Sequence, residues 1–236
     1  MSETTVYLVT GSNRGLGLGL VTRILDKHEH AFVYAGARDP DNAPSLQNLQ
    51  VKYPDRMSVV KCVSADVEGN TALAREIEKR HGRLDTVIAN AGTICDTTGD
   101  ASNISVALLE EHFRVNVIGT IVLFQAVHGL LKKSISPRFV PIGSGVGCLD
   151  GNSTKYLAGG LAYVAFPLAP GAIDTDMLRS SVAADTTGYL EKLYGKNTSV
   201  PTVEAVSSSL INIIDKSTRV NDGGKLIRVD GTQIPW

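Results

Sequence analysis

Cysteine is scarce in this chain of 236 residues, which contains only Cys62, Cys95 and Cys148. The three form neither a C-x-x-C pair nor an even-numbered framework, so a disulfide-stabilised secreted domain is not expected and a reducing compartment is. An excess of charge is also missing, because 23 Lys and Arg balance 24 Asp and Glu to a formal net charge of −1. A chain this balanced has no bulk attraction to nucleic acid or anionic lipid, so the expected partner is a small molecule in a pocket.

Targeting and membrane signals are weak as well. The N-terminus lacks a basic start followed by an apolar run, so no secretory signal is expected. The most apolar long segment, residues 115–131, is interrupted by Asn116, Gln125 and His128, and we expect it to fall short of a membrane span. With 43% hydrophobic and 20% charged residues, the chain has the composition of a soluble protein. We expect a cytoplasmic protein with a single domain over residues 1–236 and neither a membrane nor a nucleic-acid partner.

Short β-branched runs alternate with amphipathic segments along the whole chain. Near-continuous apolar strands separated by helices are typical of a parallel sheet that is covered on both faces. The sequence therefore predicts an α/β fold, a doubly wound parallel sheet of the Rossmann kind. The expected strands are 5–10, 31–35, 57–63, 84–89, 138–142, 163–166 and 225–229, and the expected helices are 15–27, 45–53, 71–81, 106–134 and 203–216.

A glycine-rich stretch follows the first expected strand and leads directly into the first expected helix. It reads Thr10-Gly-Ser-Asn-Arg-Gly-Leu-Gly-Leu-Gly19. Glycines at this place let backbone N–H groups approach a phosphate, and the helix N-terminus adds a favourable dipole. Glycines also serve purely structural turns, but the strand before and the helix after this loop favour nucleotide binding.

The end of the second expected strand bears on which dinucleotide binds. An acidic residue there would bind the ribose 2′-hydroxyl of NAD, whereas a basic residue would accept the 2′-phosphate of NADP. Arg38 comes first at this point, and Arg14 in the glycine-rich loop is placed to reach the same phosphate. NADP is therefore expected over NAD, although Asp39 keeps NAD open and both arginines could simply be solvated.

Further motifs follow in a fixed order. They are Thr10-Gly11-x-x-x-Gly15-x-Gly17, Asp66-Val67, Asn90-Ala91-Gly92, Asn116, Ser144, Pro170-Gly171 and Thr175. In this order and spacing the chain resembles the short-chain dehydrogenase/reductases over nearly its whole length. Within that family it is similar to fungal ketoreductases of secondary metabolism of the norsolorinic acid ketoreductase type, and the ending Asp230-Gly-Thr-Gln-Ile-Pro-Trp236 adds to the similarity.

The resemblance implies a role for each matching position in an NADP(H)-dependent ketoreductase. Ser144 would hydrogen-bond the substrate carbonyl, a tyrosine would deliver the proton, and Asn116 would hold a water of the proton relay. No histidine has metal-ligand spacing, so no metal is expected. The implied cofactor residues are Gly11, Arg14, Gly15, Leu16 and Gly17 at the pyrophosphate, Arg38 at the 2′-phosphate, Asp66 and Val67 at the adenine, Asn90, Ala91 and Gly92 at the nicotinamide ribose, and Pro170, Gly171, Ile173 and Thr175 at the carboxamide.

The chain departs from the family after Ser144, where a Tyr-x-x-x-Lys motif is expected on a helix. Tyr163 is the favoured catalytic tyrosine and Tyr156 the alternative, but the residues four positions later are Pro167 and Gly160. A lysine on the same helix face would favour the phenolate form of the tyrosine, whose reference pKa is near 10. By comparison with the family, roughly twenty residues are missing, and the connection between the fifth and sixth strands is expected to be truncated.

Two consequences follow from the shortened connection. The chain is expected to be a poor ketoreductase, so a non-catalytic NADP-binding protein and a non-redox cyclase or isomerase stay open as alternatives. The connection from 145 to 162 is expected to be irregular because it contains five glycines. An apolar strip on the sheet or on the long helix is then expected to be exposed, which favours a homo-oligomer.

Overall fold

A parallel sheet of six strands forms the centre of the molecule, in the order β3-β2-β1-β4-β5-β6. The computed structural model describes residues 4–94, 104–144, 164–185, 188–194 and 199–234. The strands are β1 Thr5–Val9, β2 Ala31–Ala37, β3 Met57–Lys61, β4 Thr86–Ala89, β5 Arg138–Pro141, β6 Val164–Ala165, β7 Leu168–Ala169, β8 Leu226–Arg228 and β9 Gln233–Ile234. The helices are α1 Gly15–Lys27, α2 Pro44–Lys52, α3 Val67–His81, α4 Val106–Phe113, α5 Gly119–Leu131, α6 Asp176–Ala184, α7 Tyr189–Tyr194, α8 Val203–Lys216 and α9 Arg219–Asp222, and the π-helical segment Arg114–Ile118 joins α4 to α5.

Two apolar layers hold the helices on the sheet. On one face, Leu20 and Ile24 of α1 meet Leu210 of α8, and all three are 0% exposed. On the other face, Ile77 of α3 and Val127 of α5 are equally buried. Burying one such aliphatic side chain contributes about 1.5–3 kcal/mol. Helices therefore cover both faces of the parallel sheet, and the doubly wound fold predicted from the sequence is confirmed.

The sixth expected strand, 163–166, is split in the structure. β6 pairs with the start of β5, and β7 continues beyond Phe166 and Pro167 to pair with β8. A parallel bridge from Ile142 to Leu168 links β7 to the end of β5. Pro167 has no N–H for the ladder, so regular pairing stops there, while its carbonyl still accepts a hydrogen bond from Ile227 N at 3.1 Å. β7, β8 and β9 form a second sheet of three strands, in which β8 and β9 are antiparallel.

Two helix boundaries differ from the sequence-based expectation. α3 begins at Val67 instead of residue 71, because the Asp66 side chain caps it by accepting a hydrogen bond from Gly69 N at 2.9 Å. The long helix ends at Leu131 instead of residue 134, and its regular α geometry is interrupted at Arg114–Ile118. The expected irregular connection between the fifth and sixth strands lies outside the described residues.

The long helix from Val106 to Leu131 contains 26 residues, with a mean hydropathy of 1.4 over its most apolar part. By length and composition it could cross a membrane, so the polar interruptions noted in the sequence do not exclude a span by themselves. A core helix of a soluble protein has the same length and composition. Its C-terminal part, α5, packs against α3, β4 and β5, and the cytoplasmic location stays a prediction.

The same helix exposes an apolar strip, as the sequence predicts. Leu109, Phe113, Val117 and Ile121 follow one another at four-residue spacing and are 49%, 59%, 40% and 52% exposed. Residues at this spacing lie along one side of a helix, so the exposed side chains form one continuous strip. We call these four residues the helix strip.

Candidate dinucleotide site and active site

The glycine-rich loop forms a cradle at the N-terminus of α1. Gly11 and Gly15 adopt left-handed φ angles of 64° and 54°, which favour glycine. A Cβ on Gly17 would lie 2.2 Å from the Gly11 carbonyl oxygen, and a Cβ on Gly11 would lie 2.8 Å from Ala91 Cα. Only glycine therefore lets the loop, the helix and the end of β4 come this close together.

The first turn of α1 offers its N–H groups to a ligand. Among the described residues, no side chain caps this helix, and its first turn contains no acidic residue. Uncapped N–H groups and the helix dipole make such an end a binding site for phosphate. Leu16 is buried under this turn, whereas Arg14 stands exposed beside it. The cradle and its free donors fit the pyrophosphate of a dinucleotide.

Thr10 and Asn90 connect this cradle to β4. The Thr10 hydroxyl accepts hydrogen bonds from the backbone N–H groups of Asn90 and Ala91, both at 3.0 Å. The Asn90 amide donates to the carbonyl oxygens of Thr10 at 3.0 Å and Gly11 at 3.2 Å. The sequence motif placed Asn90 beside the cofactor, but it did not show that Asn90 and Thr10 hold the phosphate loop in shape.

The side of the site expected to bind adenine lies across the ends of β3 and β4. Val67, at the start of α3, is 61% exposed and available for contact with a ring. A narrow pocket beside it is lined by Thr10, Cys62, Asn70 and Leu123, among others. Cys62 is buried there, and burial raises the pKa of its thiol to about 12. A thiol of this kind is neutral and unreactive at physiological pH, and it donates a hydrogen bond to Asn70 Oδ1 at 3.4 Å.

Arg38 and Asp39 follow β2 at the outer edge of the site, and both are exposed. The Asp39 carboxylate accepts a hydrogen bond from the Asn42 amide at 2.6 Å. This bond holds the pKa of the Asp39 carboxyl below its usual range, with a smaller effect from the charge of Lys61. Asp39 therefore already has a partner within its own loop.

The segment after β7 packs back onto the cradle. Gly171, which follows Pro170, adopts a left-handed φ of 74°. Ile173 is 7% exposed, and Thr175 caps α6 by accepting a hydrogen bond from Leu178 N. The Thr175 methyl group would lie 3.6 Å from a Cβ on Gly15. The segment expected at the carboxamide thus lies beside the glycine-rich loop.

Asn116 lies within the π-helical segment and forms two hydrogen bonds with the loop after β4. Its Oδ1 accepts a hydrogen bond from Thr93 N at 2.8 Å, and its Nδ2 donates to Thr93 O at 2.9 Å. Its Oδ1 also lies 3.4 Å from the position of a Cβ on Gly92. π-helical turns often occur at functional sites, because they shift the side chains on one face of a helix. Nothing in the sequence marked Thr93 as the partner of Asn116.

Ser144 follows β5 at the carboxyl edge of the sheet and is exposed. The chain enters this position through Gly143, whose N–H donates to Leu168 O at 2.7 Å. β4 and β5 are parallel neighbours, so the loops after them meet at the edge where ligands bind in such sheets. Tyr156 and Tyr163, the two candidate tyrosines, lie outside the described residues.

The described part of the chain contains no cluster of three or more His, Cys, Asp or Glu side chains suited to a metal ion. The structure thus brings the glycine-rich loop, the ends of β2 to β5 and the segment after β7 to one edge of the sheet. This edge presents backbone donors for phosphate and a serine at the end of β5.

The sequence and this architecture define one family. Residues 5–166 match the family model of the short chain dehydrogenases, and the chain belongs to that family of oxidoreductases. It is 29% identical to norsolorinic acid ketoreductase of Aspergillus parasiticus over 260 aligned positions, covering 99% of this chain and 92% of the relative. A short chain dehydrogenase of Penicillium aethiopicum is 30% identical, with 97% and 98% covered.

Solved structures share the fold. The NADPH-bound carbonyl reductase from chicken fatty liver superposes with a TM-score of 0.80 at 22% identity and covers all of both chains. A short chain dehydrogenase/reductase from Saccharomyces cerevisiae gives a TM-score of 0.83 at 21% identity, covering 96% of each chain. The alignment with the Aspergillus relative extends over more positions than the 236 residues of this chain, so that relative has residues with no counterpart here.

Proposed function

We propose that this chain binds NADP(H) and acts as a ketoreductase on a small carbonyl or alcohol substrate. The observation that carries the proposal is the glycine cradle at the uncapped N-terminus of α1, with Arg14 and Arg38 exposed at its rim. Bound there, the nicotinamide would supply a hydride to a ketone or accept one from an alcohol. Two guanidinium groups favour a 2′-phosphate over a 2′-hydroxyl, since a hydrogen bond to a charged group contributes about 1.5–3 kcal/mol.

The described residues divide the cofactor between three loops. The loop before α1 binds the pyrophosphate, the ends of β3 and β4 bind the adenosine and the nicotinamide ribose, and the segment after β7 orients the carboxamide. The residues assigned to these tasks are Gly11, Arg14, Gly15, Leu16, Gly17, Arg38, Asp66, Val67, Asn90, Ala91, Gly92, Pro170, Gly171, Ile173 and Thr175.

In the reaction, the Ser144 hydroxyl donates a hydrogen bond to the substrate carbonyl oxygen, and Tyr163 donates the proton. Asn116 holds a relay water through the hydrogen-bonding groups of its amide that Thr93 does not use. An amide has two N–H donors and two acceptor lone pairs, and Thr93 uses one of each. Its Oδ1 lies beside Gly92, the residue to which this proposal assigns the nicotinamide ribose.

A second candidate function is NADP binding without ketone reduction, either as a binding protein or as a non-redox cyclase or isomerase. The absence of a lysine four residues after Tyr156 or Tyr163 favours it. A tyrosine without a neighbouring cation is a poor proton donor–acceptor at neutral pH. The longer alignment of the Aspergillus relative supports a shortened chain here.

Calorimetric titration tests the cofactor part of the proposal. We expect NADPH to bind at least tenfold more tightly than NADH, and Arg38→Ala to remove most of that preference. Arg75→Ala is the matched control, because Arg75 is an exposed arginine on α3 away from the cradle. Equal affinities for the two cofactors, or equal behaviour of the two variants, would overturn the NADP assignment.

We also infer that the chain forms a homo-oligomer through the helix strip. The four strip residues expose apolar side chains along one side of the long helix. Glu110 and Arg114 lie beside Phe113 on the same surface groove. Two copies packed antiparallel about this point bring Glu110 of one copy close to Arg114 of the other, so the surface is complementary to itself.

A further inference from the structure

The loop between β2 and α2 carries an acidic side chain, Asp39, just after the strand end where a dinucleotide ribose is expected to bind. The Asn42 amide donates to the Asp39 carboxylate at 2.6 Å. The Gln47 amide donates to the carbonyl oxygens of Pro40 and Asp41 at 3.1 Å and 3.0 Å. Two side chains thus fix the turn that Asp39 begins.

Asp39 would otherwise oppose the preference given by Arg14 and Arg38. A free carboxylate at the end of this strand accepts the ribose 2′-hydroxyl and repels a 2′-phosphate. Asn42 binds one of its two carboxylate oxygens, Oδ2, and so holds the Asp39 side chain against the loop, while the other oxygen keeps its acceptor sites.

Lys61 adds a cation at the same edge. It ends β3, where its Cα pairs with that of Ala37, the last residue of β2. Lys61 is exposed, and its charge acts on the Asp39 carboxylate. Lys61 therefore ends its strand at the same sheet edge as Arg38 and Asp39, and its charge offsets part of the Asp39 charge.

We propose that Asn42 and Lys61 determine the choice of 2′-phosphate over 2′-hydroxyl in this site, Asn42 by holding Asp39 and Lys61 by supplying a third positive charge. This inference rests on the proposed binding of NADP(H). It makes Asn42 a positioning residue that acts through Asp39, and Lys61 a specificity-determining residue that no motif in the sequence had marked.

The test measures binding, without turnover, to the whole chain. The probes are adenosine 2′,5′-bisphosphate, which carries the 2′-phosphate, and adenosine 5′-monophosphate, which lacks it, both titrated by calorimetry. For Lys61→Met we expect affinity for the bisphosphate to fall about threefold to fivefold, as for loss of an exposed ion pair. Affinity for the monophosphate should change by less than about twofold. Lys52→Met is the matched control, because Lys52 lies at the far end of α2, beside Asp26.

Asn42→Ala should lower affinity for the bisphosphate by a similar factor and raise affinity for NADH, because Asp39 becomes free. Adding Asp39→Asn to Asn42→Ala should restore the bisphosphate affinity, which a merely structural role of Asn42 would not do. Asn48→Ala, an exposed asparagine on α2, is the control.

The outcomes separate the two proposals. If the unmodified chain prefers the bisphosphate but the Lys61 and Asn42 variants behave like their controls, this inference is wrong and the proposed cofactor stands. If the unmodified chain binds both probes equally, the proposed NADP preference is wrong and this inference falls with it. If Asn42→Ala weakens both probes to the same extent, its role is structural and the part assigned to Asn42 is wrong. Lys61→Gln and Asn42→Ser serve as second variants should either first substitution fail to fold.

Discussion

The N-terminal region that contains β1, the glycine cradle and α1 buries its apolar side chains, whereas the long helix exposes many of its own. In α1 and β1, Leu8, Leu20 and Ile24 are completely buried. On the long helix, Phe113 and Ile121 are more than half exposed. The apolar side chains of the first region are buried within one chain, because helices cover both sides of its strands. The long helix has no such cover among the described residues, so burial of its exposed side chains requires another segment or another copy of the chain.

The largest expected effect concerns the substrate side. Inserting a helix with Tyr-Ser-Ala-Ser-Lys spacing between Tyr163 and Val164 should raise kcat/KM for NADPH-dependent ketone reduction by about 10²- to 10⁴-fold, the usual contribution of a positioned acid or base. NADPH consumption would be followed with a panel of aromatic ketones. Equal kcat/KM in both chains would show that the lysine is not needed, and no turnover in either, with NADPH still bound, would favour the non-redox readings.

The cofactor half should be intolerant of a single methyl group in the cradle. Gly17→Ala would place a Cβ 2.2 Å from the Gly11 carbonyl oxygen and 2.6 Å from Asn90 Nδ2. Relieving such overpacking costs about 1–3 kcal/mol, so we expect NADPH affinity to fall about tenfold to a hundredfold. Gly129→Ala is the control, because nothing lies within 4 Å of its Cβ. Unchanged affinity in Gly17→Ala would mean that the cradle does not hold the cofactor.

A charged residue introduced into the helix strip should weaken self-association, because this is the apolar surface that the N-terminal region does not expose. Phe113→Asp is expected to weaken self-association by about tenfold, since it removes a large apolar contact and places like charges opposite each other across the axis. Light scattering coupled to size-exclusion chromatography measures the mass over a concentration series. Val220→Asp, at an 88% exposed position on α9, is the control. A monomer in the unmodified chain at all concentrations would refute the oligomer.

The smallest expected effect is on the pH dependence of folding stability, through His81 on α3. His81 Nδ1 lies 2.8 Å from the Tyr34 hydroxyl, and desolvation, with lesser effects from Arg80 and Arg83, lowers the pKa of His81 below 6.5. As pH falls below 6.5, His81 therefore takes up a proton more readily in the unfolded chain than in the folded chain. The free energy of unfolding is then expected to decrease as pH falls.

Urea unfolding between pH 7.5 and 5 measures this loss, and His81→Gln should flatten the profile. The same slope in wild type and variant would show that His81 is not responsible. His128, an exposed histidine on the long helix, provides the comparison through His128→Gln.

Most of the first half could be predicted from sequence because its signals are local. α1 has the expected boundaries, since apolar periodicity and the glycine-rich residues after β1 determine them, and apolar periodicity also gave the boundaries of α8 in the second half. The split between β6 and β7 was missed, because it depends on how Pro167 meets β5 and β8 in three dimensions. α6, α7, α9 and β9 were missed as well, since short elements carry little periodic signal.

The sequence by itself determined the doubly wound fold, the family and the place of the phosphate loop, because strand and helix periodicity and the order of the glycine motifs are written along the chain. The tertiary structure decided which partners those residues have. Thr93 binds Asn116 from a loop 23 positions away, and Thr10 holds Asn90 across 80 positions. The physical reason is that a hydrogen bond depends on distance and angle in space, which spacing along the chain does not specify once the contact is long-range.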